Sequence, residues 1–70
     1  MAIDWDQIGT LSNTAGGYDI RTDALWILVI TAKQGHEGPP DAMQIRMSDG
    51  RTYLPNEIEA LAHRPDRRRG

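Results

Sequence analysis

The side chains able to do chemistry are few and scattered. His36 and His63 are the two histidines, and so the two side chains whose ordinary pKa lies near neutrality. Ser12 and Ser48 offer hydroxyl nucleophiles, yet neither they nor the histidines fall into a nucleophile elbow or a triad pattern. A chain of 70 residues also has little room for a pre-organised pocket of ~300 Å³ or more. The expectation is a protein that is not an enzyme, with no catalytic residues.

His36, Glu37 and Asp41 present imidazole and carboxylate donors of the kind that suit zinc or manganese. Their spacing matches no established ligand pattern. The stretch around them, "QGHEGPPD", would hold ligands only loosely, so a solvated loop with no metal and no cofactor is expected. Gly16-Gly17 lacks the lysine and the spacing of a phosphate-binding loop and reads as chain punctuation. His63, near the end of an expected helix, would interact favourably with the helix dipole when protonated.

Arginine is the commoner chemical resource. Arg64, Arg67, Arg68 and Arg69 end the chain in "HRPDRRRG", where phosphate contact is one available chemistry. Residues 64–70 carry a net charge of +3, which leaves −5 on residues 1–63 of a chain whose total is −2. A nucleic-acid binder is ordinarily basic over its body, so the tail reads first as a flexible basic end, 65–70, on an acidic domain, 1–64. An acidic body of this kind steers toward basic partner surfaces.

The elements that would position these groups follow from pattern. Trp5, Ile8 and Leu11 are three apart, and Asp4 with Gln7 has capping-box spacing, which suggests a short N-terminal helix over Asp4–Ala15. Gly9 and Ser12-Asn13-Thr14 oppose it. Tyr18–Arg21 reads as a short strand. "ALWILVITAK" is rich in β-branched and aromatic residues and reads as a strand apolar on both faces.

"AMQIRM" alternates cleanly, with Met43, Ile45 and Met47 on one face. "SDGR" signals a tight hairpin into "RTYL". Beyond Pro55, Asn56 and Glu59 have capping-box spacing. Ile58, Leu61 and Ala62 form an apolar face, and Pro65 stops the helix near His63.

The expected fold is a small α+β domain, with a three- to four-stranded antiparallel sheet and a C-terminal helix. A small SH3-like or Sm-like barrel is the alternative. With both faces of its supposed central strand apolar, the chain would need a second subunit or a partner for cover.

That reasoning makes the protein a non-catalytic protein-binding module that acts through its sheet surface, as an adaptor, inhibitor or regulatory subunit. Its contact candidates are Trp5, Trp26, Met43, Ile45, Met47 and Tyr53, with Arg46 and Arg51 orienting the partner at the rim. The partner is another protein or a second copy, as in a homodimer. The alternatives are a nucleic-acid-associated regulator using Arg64, Arg67, Arg68 and Arg69, and a structural homo-oligomer.

The longest apolar run, Ala24 to Ile30, is far short of the ~20 residues that span a bilayer, so no membrane role is expected. The start "MAIDWDQ" is not a signal peptide. The absence of cysteine suits a reducing cytoplasm. A preference for arginine over lysine fits a bacterial or phage origin.

Overall fold

A computed structural model describes residues 3–35 and 38–64. Its elements run β1 (Ile8–Asn13), β2 (Tyr18–Ala24), α1 (Leu25–Gln34), a 3-10 turn (Pro40–Ala42), β3 (Met43–Met47), β4 (Thr52–Tyr53) and α2 (Pro55–Ala62). The four strands form one antiparallel sheet in the order β2-β1-β3-β4. This is the expected α+β class, and the sheet is open rather than closed into a barrel. Both helices cover one face, α1 over β1 and β2, α2 over β3 and β4, and they touch each other.

The N-terminal segment departs from the expected helix. Trp5 lies in a turn, where Gln7 N–H donates to the Asp4 carbonyl at 3.2 Å. From Ile8 onward the chain is strand, with Gly9, Leu11 and Asn13 buried and Ile8, Thr10 and Ser12 turned the other way. The spacing of three was carried by few residues. Glycine, threonine, serine and asparagine between them are poor helix formers, and as β1 they gain pairing partners on both sides.

Gly9 is required here by close approach. A Cβ would lie 2.7 Å from Met47 Sδ and 2.9 Å from the Arg46 carbonyl oxygen. At the hairpin to β2, Gly16 N–H donates to Asn13 Oδ1 at 2.9 Å and Gly17 N–H to the Asn13 carbonyl at 2.8 Å. Asn13 also donates from Nδ2 to the Tyr18 hydroxyl at 3.3 Å, so this buried polar side chain is satisfied.

The second departure is larger. The run read as a two-faced strand is the helix α1. Its buried residues are Leu25, Leu28, Val29 and Ala32, at the i, i+3, i+4, i+7 spacing of a helical stripe. Trp26, Ile27 and Ile30 between them are also apolar, so the period was hidden. Asp23 Oδ1 accepts from Ala24 N–H at 2.8 Å at the helix entry, and Gly35 ends it in the left-handed conformation, φ 75°.

β3, the hairpin and β4 follow expectation. The cap of α2 lies two residues before the expected one. Leu54 is the N-cap and Pro55 the first helical residue, with Glu57 Oε1 accepting from Leu54 N–H at 3.1 Å in place of the expected Asn56–Glu59 pair. Proline at the first helical position loses no bond, which explains the earlier start. The helix stops at His63 as expected. The core gathers Leu11, Leu25, Leu28, Val29, Met43 and Ile45, each at most 1% exposed, with Trp5, Tyr53, Ile58 and Leu61 around them.

Candidate binding surface

Because both helices lie on one side, the other face of the sheet is bare. Strand register sets its residues in transverse rows. Thr22, Thr10, Arg46 and Thr52 are paired in succession across all four strands, and Asp19, Ser12 and Gln44 form a second row. The hydroxyls of Thr10 and Thr22 are 3.0 Å apart. Ser12 Oγ donates to Asp19 Oδ1 at 2.8 Å, and Arg46 Nη2 donates to the same oxygen at 3.0 Å. The Arg46–Asp19 pair is exposed on both sides and contributes little to stability by itself.

An open concavity of about 450 Å³ lies beside Arg46, lined by Ile8, Thr10, Thr22, Ser48, Gly50 and Thr52. A second hollow of about 220 Å³ lies on its other side, among Ser12, Tyr18, Asp19 and Gln44. Arg46 thus stands on the ridge between two depressions. Ile8, 49% exposed, is the apolar group at one end of this face, whereas Tyr18 is paired with the inward-facing Asn13. The chemistry available is hydrogen bonding from hydroxyls and one guanidinium, with apolar anchoring at the Ile8 end.

The sequence-derived contact candidates divide sharply. Met43, Ile45 and Met47 all face the helices and belong to the core, as do Trp5 and Tyr53. The clean alternation of β3 marks its inward face, so the apolar residues expected at a contact surface are the fold's own interior. Trp26 is half-buried against that core. Its backbone N–H donates to the Trp5 carbonyl at 3.1 Å, tying α1 to the N-terminal turn. Of the eight, Arg46 and Arg51 have exposed side chains, and they stand apart.

Arg51 belongs to the hairpin, where its Nη1 donates to the Tyr53 hydroxyl at 3.3 Å. That hydroxyl, followed by the charge of Asp49, holds the guanidinium pKa above its ordinary value. Asp49 Oδ1 accepts from the Arg51 backbone N–H at 2.9 Å, and this bond holds its carboxyl below the usual carboxylate range. Arg51 and Arg64 line a common groove of about 310 Å³ with Ile3, Tyr53 and Leu61. Arg67, Arg68 and Arg69 lie outside the described residues, as do His36 and Glu37. Asp41 sits in the 3-10 turn.

His63 Nε2 is 2.9 Å from Glu59 Oε1 on the outside of α2. Lys33 of α1 pairs with the other oxygen of Glu59. These two partners, Lys33 foremost, hold the Glu59 carboxyl below its ordinary pKa.

Sequence reasoning missed the polar rows of the bare face. The alternation Thr10, Ser12 on one side and Leu11, Asn13 on the other was present as a signal, but it was read at a period of three. It also missed Ile27 and Ile30, half-buried on α1 outside the core cluster. No helix among the described residues is long and apolar enough to cross a membrane. No protein family, curated protein or solved structure matches the chain.

Proposed function

We propose that the protein is a non-catalytic protein-binding module, an adaptor, inhibitor or regulatory subunit, that engages its partner through the bare face of the sheet. The observation behind this reading is the concavity beside Arg46 on a face that neither helix covers. Arg46 supplies a directional charge, the threonine row supplies hydrogen bonds, and Ile8 supplies apolar contact at one end. The acidic body steers the encounter toward a basic partner. A cysteine-free chain suits the cytoplasm, where we place this activity.

A photo-crosslinking residue at Thr10, on the bare face, tests the reading against the same residue at Ala60, on the outside of α2. In host lysate the Thr10 probe is expected to capture a discrete partner, and Arg46→Glu to abolish that capture. Equal labelling from both positions, or none from Thr10, would reject the bare face as the contact surface.

A second reading, a nucleic-acid-associated regulator, is favoured by one observation. Arg51 and Arg64 share a groove, and the chain continues from Arg64 into Arg67, Arg68 and Arg69. It predicts salt-dependent retention on DNA or RNA that is lost when residues 65–70 are deleted. Retention unchanged by that deletion would remove the arginine-rich end as the grip.

A further inference from the structure

We propose that two copies of the chain pair through the outer edge of β2, in an antiparallel register centred on Thr22. The pairing stands independently of the bare-face reading. It rests on backbone direction and on charge.

The two edges of the sheet are unequal. β4 offers two residues, whereas β2 offers seven. The direction of the β2 backbone groups follows from the bonds around it. Leu25 N–H donates to the Gln7 carbonyl at 2.9 Å, and Ser48 N–H donates to the Ile8 carbonyl at 3.0 Å. Leu25 therefore points toward β1, and Ile8, opposite Ala24, points toward β3. Alternation along the strand then turns the N–H and C=O of Arg21 and Asp23 toward β1, and those of Thr22 outward. Two outward Thr22 residues facing each other across a two-fold axis can exchange both hydrogen bonds.

The side chains fit the same register. Thr22 stands between opposite charges, Arg21 and Asp23. Centred on Thr22, antiparallel pairing sets Arg21 opposite Asp23 of the second copy, twice. Such opposite-charge cross-strand pairs stabilise a sheet. Centring on Arg21 would oppose two guanidinium groups and present the wrong backbone edge. Centring on Ile20 falls on the bulge, where the register with β1 shifts between Leu11 and Ser12.

Bulges and charges usually guard an edge strand against pairing. Here the bulge leaves Arg21–Ala24 regular, and the charges in that stretch are self-complementary. Arg21 and Asp23 already pair within one chain at 2.9 Å, with side chains 50% and 30% exposed, so each is accessible for exchange with the second copy.

Sedimentation equilibrium on the full chain tests this, with circular dichroism to confirm folding. The wild type is expected to be dimeric at high micromolar concentration. Thr22→Pro removes the outward N–H without removing a backbone bond to β1, a place where an edge strand tolerates proline, though it also removes the Thr22 hydroxyl from Thr10. It should weaken dimerisation by at least about tenfold while the monomer stays folded. Arg21→Asp should do the same by facing Asp23 with a like charge, whereas Arg21→Lys should retain the dimer. Should Thr22→Pro fail to fold, Arg21→Asp carries the test alone. A monomeric wild type, or a dimer that survives either disruptive substitution in folded form, overturns the proposal.

Discussion

Glu59 shows how single side chains couple the two helices. Its carboxylate lies between Lys33 of α1 and His63 of α2, and its folded pKa is lowered, chiefly by the bond from Lys33. A lowered carboxyl pKa means stability that is present above the unfolded value of about 4.3 and lost as pH falls through the folded one. An NMR titration should place the Glu59 midpoint below ~4.3, and Lys33→Ala should move it upward. At Gly9 the effect is steric. Met47 Sδ can swing aside, but the Arg46 carbonyl is backbone, so Gly9→Ala is expected to cost about 1–3 kcal/mol in urea unfolding. The same residue opposed a helix in the sequence through its low helix propensity, while the closeness of β3 that requires it is not carried by the sequence.

At the level of elements, legibility tracked whether local pattern and tertiary environment agreed. The β3–β4 hairpin was readable because Asp49-Gly50 and the alternation of Met43, Ile45 and Met47 point the same way. α2 was readable because its apolar residues fall on one side and Pro65 follows. α1 was not, because six consecutive apolar residues, Leu25–Ile30, satisfy a strand template and a helix template alike. Two cues favoured the helix: a length of ten residues and Gly35 just past its end. Leu28, fully buried, should cost about 2–5 kcal/mol when cut to alanine, and Ile27→Ala clearly less. Gly35→Ala should cost about 1 kcal/mol from its left-handed backbone. Equal losses at positions 27 and 28 would contradict the assigned face of α1. The candidate site suffered from the same ambiguity. Apolar residues were assigned to a contact surface because the core they fill, beneath two helices rather than one, was not visible in the pattern.

For the whole molecule, one core under one face of a small sheet implies a single cooperative transition. Calorimetry should return a heat-capacity change of about 0.9 kcal/mol/K for a chain of this length, and urea a slope of about 1 kcal/mol/M. Should the β2 edge pair as proposed, the midpoint will rise with protein concentration, as binding to the folded form requires. A midpoint independent of concentration would accompany the monomer.

The strand order also bears on how the chain reaches this state. β1 is central, yet its two neighbours arrive by very different routes. β2 follows after one short turn and can close as a hairpin in roughly 1–10 μs. β3 pairs Asn13 with Met43, so roughly thirty residues, α1 included, must be looped back first. Between those events β1 presents an unpaired side that the finished protein never shows. The slow step in refolding is then the docking of β3, and the period before it is when the chain is most prone to stick to its neighbours.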